Sequence, residues 1–188
     1  MLSPRKCLDL SKIYDNKRNF LDSAGIIHIL PTFQILLCAE ETVVREQSLE
    51  SFREYTKLFS DDQVHNQVCT LVNTISSNDY FTGKVSACYL IRMIYERAGK
   101  EKEKLRNLYY RLCDDETPLI KKAAAKEFGP LCTVMEKEVV TPDMINYFRK
   151  FMVDSDNIKV TALASLVQLV KLFQNTDQQR LNVQSKLV

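Results

Sequence analysis

A short pattern of basic, small and large apolar residues recurs four times along the chain at a nearly constant spacing. The basic residues that mark it are 39, 37 and 38 residues apart: Arg45, Lys84, Lys121 and Lys159. A small residue follows three positions later and a large apolar one seven positions later: Ser48, Ala87, Ala124 and Ala162, then Phe52, Ile91, Phe128 and Leu166. An acid precedes each basic residue: Glu41, Asp79, Asp115 and Asp156. A fixed period of this length is typical of stacked supersecondary units rather than of one closed globule.

Each unit has the pattern of two helices joined by a polar turn. In the third unit, apolar residues at i, i+3, i+4 and i+7 predict a leading helix: Leu105, Leu108, Tyr109 and Leu112. Pro118 suits the first turn of the second helix, where its missing N–H is not needed. Gly129-Pro130 is expected to bend that helix or to end it early. Because the chain has only four glycines and five prolines, an all-β fold is disfavoured. We predict an all-α, right-handed α-solenoid of about four helix-turn-helix units.

The recurring positions also set the expected organisation of the chain. A small residue at the fixed position allows helices of adjacent units to approach closely, and the recurring basic residue predicts a ladder between neighbouring units. Residues 1–24 show weak periodicity and are either a partial repeat or a disordered leader. Residues 177–188 are expected to begin an incomplete repeat with an uncapped apolar end, which points to truncation or self-association. The four units are predicted to span 25–60, 61–99, 100–138 and 139–176.

Composition and charge exclude several classes of function. The net charge is only +2, acids and bases are interspersed, and there is no basic stripe of the kind that nucleic acid requires. The longest apolar stretch, Ile26 to Ala39, is too short and too interrupted to span a bilayer. The first residues lack the apolar core of a signal peptide. We therefore expect an intracellular protein, in the cytoplasm or also the nucleus, that binds neither nucleic acid nor membrane.

No motif in the sequence indicates an enzyme. The six cysteines include no CxxC pair and are interpreted as small core residues. His28 and His65 lie in predicted leading helices without a cysteine or acid at metal-ligand spacing, and are interpreted as core or surface residues. No nucleophile-elbow, zinc-protease, P-loop or dinucleotide motif occurs. We predict a non-catalytic protein with no cofactor and no metal site.

The period lies nearest to that of HEAT repeats. An acidic turn followed by an aliphatic and a basic residue also resembles them: Val44-Arg45, Ile120-Lys121 and Ile158-Lys159. Ankyrin repeats fit less well, because Thr117-Pro118-Leu119 occurs once and their period is shorter. Five stretches, in order, resemble about the third to the sixth repeat of the scaffold (A) subunit of protein phosphatase 2A: 40–45, 79–82, 86–88, 112–118 and 123–126.

This resemblance covers roughly residues 25–175 and implies a non-catalytic scaffold subunit. The turns inside such repeats hold interchangeable regulatory subunits, which are the expected partners. Binding of the catalytic subunit is doubtful, because the carboxy-terminal repeats that hold it have no counterpart here. The chain is expected to be a fragment, a truncated gene model or a divergent short paralogue. The alternative is a generic HEAT-repeat adaptor with unrelated protein partners.

The turns therefore supply the candidate protein-binding residues: Glu41, Thr42, Asp79, Tyr80, Phe81, Thr82, Asp115, Glu116, Thr117, Pro118, Lys122, Asp156 and Asn157. A row of exposed acids with an aromatic anchor suits a partner surface. Two adjacent aromatics at Tyr80 and Phe81 cannot both face the core easily, so one is expected to be exposed, although the family usually has tryptophan at position 80. Lys122 is basic in this unit alone, which favours contact with a partner. The alternative is that the acids only cap helices and pair with the next basic residue.

Overall fold

The computed structural model describes residues 28–77, 80–136 and 143–173. The expectations for 1–24, for 177–188 and for Asp79 concern residues outside these ranges. Within them, eight main helices follow one another, two short 3-10 helices (Tyr95–Arg97 and Gly99–Glu101) connect the fourth to the fifth, and no strand occurs. The helices are α1 Leu30–Leu37, α2 Thr42–Thr56, α3 (Asp61–Gln63, the π-helical Val64–Val68 and Cys69–Ser76), α4 Phe81–Ile94, α5 Lys102–Cys113, α6 Pro118–Val134, α7 Ile145–Met152 and α8 Asp156–Phe173.

The helices alternate between two roles along the chain. The odd-numbered helices α1, α3, α5 and α7 lead each unit, and the even-numbered helices follow them and pack against them. The following helices also stack on one another, α4 against α6 and α6 against α8. This order confirms the predicted all-α repeat fold, in which each unit stacks on its neighbours.

The recurring small and large residues occupy equivalent places in the core. All four small residues are buried, and the large residues are fully buried except the half-buried Leu166. The predicted apolar face of α5 is buried as well: Leu105, Leu108, Tyr109 and Leu112. The same register therefore repeats along the stack.

Gly129 allows α6 and α8 to approach each other closely. Its amide donates to Ser165 Oγ of α8 at 3.1 Å. A Cβ atom on Gly129 would lie 2.1 Å from Gln168 Oε1 and 2.8 Å from Ser165 Cβ. The expectation that α6 ends early at Gly129-Pro130 is wrong, because the helix continues to Val134. Leu131 and Cys132 beyond the proline are buried, so packing favours the continued helix despite the lost N–H.

The second helix of the second unit begins earlier than the sequence suggests. The sequence predicts turn residues over 77–83, but α4 begins at Phe81. Gly83 is therefore helical. A Cβ atom there would lie 2.4 Å from the carbonyl oxygen of Ile75, so this glycine serves a close approach to α3 and not a turn.

The leading helix of the second unit, which the sequence predicts over Val64 to Ser76, also begins earlier than predicted. Ser60 and Gln63 form a capping box, in which Ser60 Oγ accepts from the Gln63 amide at 3.3 Å and the Ser60 amide donates to Gln63 Oε1 at 2.8 Å. Because this box satisfies free N–H groups, the helix starts at Asp61.

The histidines and cysteines occupy structural positions. His28 is exposed, and the half-buried His65 packs on Gly99, which has a φ of 49°. Cys69, Cys88, Cys113 and Cys132 are free and buried, as expected of small core residues. None of the helices described here has the length and apolarity needed to cross a membrane.

Candidate protein-binding ridge

The turns within the four units lie side by side, because side chains connect each turn to the next. Thr82 Oγ1 donates to the carbonyl oxygen of Cys38 at 2.7 Å. Lys84 Nζ lies 2.9 Å from Asp115 Oδ2, and Lys121 Nζ lies 2.7 Å from Asp154 Oδ2. We call the described turns and the first helical residues after them the turn ridge: residues 39–43, 80–82, 114–119 and 153–157.

The predicted ladder between units is present at two of the four basic residues. Lys84 and Lys121 each pair with an acid in the next turn. Arg45 instead donates to the carbonyl oxygens of Ala39 and Glu40 in its own turn, at 2.7 and 3.1 Å. Lys159 contacts its own Asp156 at 3.2 Å. In the fourth turn the ladder acid is therefore Asp154, two residues before the acid that the repeat pattern selects.

The ladder acids are held in place by hydrogen bonds as well as by charge. Burial opposes ionisation of Asp115, but hydrogen bonds from the Thr117 amide and from Lys84 hold the pKa of its carboxyl below the usual value. Hydrogen bonds from Lys121 and the Ser155 amide likewise lower the pKa of Asp154. Both carboxylates therefore serve to join and shape the turns.

Three of the candidate residues are engaged inside the molecule. Thr82 is 2% exposed and bonded to the first turn, so we remove it from the candidate surface. Asp115 keeps only 14% of its side chain exposed and is occupied by Lys84. Thr117 is half-buried, and its amide donates to Asp115 Oδ1 at 2.9 Å.

The other described candidates face solvent. Tyr80 is 62% exposed and Phe81 is 45% exposed, so both aromatics are available where the sequence predicts only one. Lys122 approaches Asn157 at 3.5 Å across neighbouring turns, and both remain exposed. The remaining exposed candidates are Glu41, Thr42, Glu116, Pro118 and Asp156.

Three exposed apolar residues on the ridge were missed by the sequence analysis. Val43 is 72% exposed, Leu119 is 57% exposed and Val153 is 83% exposed. Val43 and Leu119 each lie two positions before the recurring basic residue, a shared position that could have identified them. The ridge therefore combines acids with apolar side chains on consecutive turns.

Turn 3, residues 114–117, is also fixed from the following unit. Lys150 Nζ lies 2.7 and 2.9 Å from the two carboxylate oxygens of Asp114. Tyr147 donates to Asp114 Oδ2 at 3.3 Å and stacks on Tyr110 with 4.7 Å between ring centroids. These contacts give the turn a defined position, as a rigid binding surface requires.

Comparison with known proteins gives relatives of one kind. The "Protein phosphatase 2A scaffold subunit" of Dictyostelium discoideum is 36% identical over 141 residues, which cover 74% of this chain and 24% of the relative. A PP2A regulatory subunit of Saccharomyces cerevisiae is 29% identical over 154 residues, or 77% of this chain and 24% of the relative. A Drosophila melanogaster PP2A 65 kDa regulatory subunit is 33% identical over 134 residues, or 69% of this chain and 23% of the relative. The matches thus span about a quarter of each relative, and no protein-family model matches the chain.

Proposed function

We propose that this chain, a homologue of the scaffold subunits of protein phosphatase 2A, is itself a non-catalytic scaffold that holds a regulatory subunit of that phosphatase. Its relatives carry the names of phosphatase scaffold and regulatory subunits. The observation that carries the proposal is the turn ridge, on which exposed apolar and acidic side chains recur along connected turns. A generic adaptor with unrelated partners has no comparable support.

The apolar part of the ridge supplies the anchor. Tyr80 and Phe81 are adjacent and exposed, and Leu119 is exposed on the following turn. Aromatic residues dominate binding energy at protein interfaces because each buries a large area with little loss of conformational freedom. We propose that these side chains enter an apolar depression on the regulatory subunit.

The exposed acids around this anchor set the orientation. Glu41, Glu116 and Asp156 flank the apolar side chains along the ridge. Charges at the rim of an interface steer association and fix its register more than they strengthen it. The partner surface is therefore expected to carry basic residues at the spacing of the turns.

The ion pairs between neighbouring turns support a preformed binding surface rather than a flexible loop. Lys84–Asp115 and Lys121–Asp154 fix each turn against the next. A surface that is ordered before binding loses less conformational entropy when the partner docks. This arrangement binds and positions a partner, which is the role proposed here.

Binding of the purified chain to purified regulatory subunits of phosphatase 2A tests the proposal. We expect Phe81→Ala to weaken binding at least about tenfold, since truncating an interface anchor costs about 2 kcal/mol. Pro118→Arg and Lys122→Glu are expected to weaken it as well. Ile35→Ala is the matched control, because Ile35 is 74% exposed and lies outside the ridge.

The catalytic subunit is assayed separately in the same experiment. Binding of a regulatory subunit that Phe81→Ala weakens and Ile35→Ala preserves would support the proposal. No binding by a chain with an intact helical circular dichroism spectrum would refute it and favour the generic adaptor.

We further propose that the chain acts in the cytoplasm, with the nucleus as an alternative compartment. Four buried cysteines are free thiols, which suits a reducing compartment. Imaging of the tagged chain tests this location, and a secreted or vesicular signal would contradict it.

A further inference from the structure

The outer face of α8 carries an exposed apolar stripe. Val160 is 68% exposed, Leu163 49%, Val167 60% and Val170 45%. Their spacing of three, four and three residues places them along one side of the helix. Contiguous exposed apolar side chains of this kind mark interaction surfaces.

In the interior units, the equivalent side of the following helix is covered by the next unit. Eight positions after the basic residue, Arg92 of α4 pairs with Glu127 of α6 at 2.6 Å. At the same position in the next unit, Gly129 of α6 bonds to Ser165 of α8. Glu127 and Ser165 each lie six positions after their own basic residue. Position eight of one unit thus meets position six of the next.

Val167 occupies position eight in α8. The stripe is therefore the stacking face of this helix, and its apolar side chains require an apolar partner. Because the stripe contains neither a charged residue nor a glycine, it can repeat neither the ion pair between α4 and α6 nor the close glycine contact between α6 and α8. Among the described residues, nothing packs over Val160 or Val167 sufficiently to bury them.

We propose that the occupant of this face is the α8 helix of a second copy of the chain, docked antiparallel about a two-fold axis near Ser165. The stripe is symmetric about that residue, because Val160 and Val170 lie five positions from it and Leu163 and Val167 lie two positions from it. Val160 then meets Val170 of the second copy, and Leu163 meets Val167. Such self-complementarity is what a two-fold interface requires.

The charges on α8 favour the antiparallel orientation. At about 100° per residue, Asp156 lies in line with the stripe at the amino end, and Lys171 lies beside it at the carboxyl end. Antiparallel docking brings Asp156 of each copy towards Lys171 of the other. It also places the positive amino end of each helix dipole near the negative carboxyl end of its partner. Lys159 is compensated by Asp156 of its own copy at 3.2 Å.

The size of the stripe predicts a weak dimer. Specific protein interfaces bury about 1,200 Å² or more in total, and four partly exposed side chains per copy supply only a part of this area. We therefore expect a Kd on the order of tens of micromolar. The dimer shares only Asp156 with the turn ridge, and variants at Val160 and Val167 leave Asp156 in place, so dimerisation and regulatory-subunit binding can be tested independently.

Sedimentation equilibrium of the full chain at increasing concentration tests the dimer. We expect Val167→Glu and Val160→Glu each to raise the Kd more than about tenfold, since a buried unpaired carboxylate opposes docking. Both sites are exposed, so the fold should persist, and circular dichroism checks this. Ile35→Glu, at an equally exposed apolar residue on α1, should leave the Kd unchanged.

A charge exchange tests the orientation. Asp156→Lys and Lys171→Glu should each weaken the dimer about threefold to tenfold, and the double variant should restore it. A chain that stays monomeric at all concentrations would overturn the proposal, and so would a dimer that Val167→Glu leaves intact. If Val167→Glu instead destabilises a monomer, another part of the same chain covers the stripe, which would also overturn it.

Discussion

At the scale of single residues, Glu136 joins the second and third units at the edge of the stack away from the turn ridge. It accepts hydrogen bonds from Lys102 at 2.8 Å and from Tyr95 at 2.9 Å. Arg106 donates to the same Tyr95 hydroxyl at 2.7 Å. Tyr95 belongs to the second unit, whereas Lys102, Arg106 and Glu136 belong to the third. One carboxylate therefore joins two units at the edge away from the ridge.

Stability at low pH should depend on this carboxylate. Burial alone would raise the pKa of Glu136, but hydrogen bonds from Lys102, the backbone and Tyr95 lower it to about 2. Its folded pKa lies below the unfolded one, so its stabilising contribution is present above about pH 5 and is lost as the pH falls towards 2. Urea unfolding at pH 7 and pH 3 measures this loss. Glu136→Gln should reduce the difference between the two pH values, whereas Glu103→Gln, at an exposed site, should not. Equal reductions by both variants would contradict this role.

At the scale of helices and turns, periodicity predicted what depends on burial and missed what depends on particular contacts. The apolar face of α5 and the buried small residues follow from spacing, because burial repeats with the helical period. The start of α4 at Phe81 does not follow from spacing, because it depends on the close approach of Gly83 to the backbone of α3. Nor could spacing show that Thr82 bonds to the first turn or that Leu119 is exposed. A turn motif predicted where the ridge lies, and tertiary contacts decided which of its side chains are free.

The ladder pair Lys84–Asp115 should couple neighbouring units energetically. The side chains are 31% and 14% exposed, so solvent screens the pair only in part. A double-mutant cycle of Lys84→Met and Asp115→Asn should give a coupling of roughly 1 kcal/mol in the free energy of unfolding. The cycle for Lys159 and Asp156, in which Asp156 is 97% exposed, should give about 0.3 kcal/mol. Similar coupling energies for the two pairs would show that the ion pair between turns stabilises the fold no more than the ion pair within one turn.

At the scale of the whole molecule, the main contacts of each described unit are with its neighbours, so stability should vary along the stack. The two interior following helices, α4 and α6, have unit neighbours on both sides. They contain long runs of fully buried residues, among them Ala87, Ile91, Ala124 and Phe128. Helix α8 is covered by α6 on one side and exposes its apolar stripe on the other. Local opening should therefore be rarest in the middle of the described stack.

Hydrogen exchange followed by mass spectrometry measures this gradient. Peptides from 81–94 and 118–134 should exchange more slowly than peptides from 42–56 and 156–173, because among the described helices α2 and α8 each pack against only one other following helix. The experiment is done at a protein concentration well below the expected dimer Kd, where α8 is uncovered. Raising the concentration should then slow exchange in 156–173 while leaving 42–56 unchanged, if the stripe docks a second copy. Uniform protection across all four peptides at low concentration would mean that the units unfold as one cooperative block, and the nearest-neighbour description would fail.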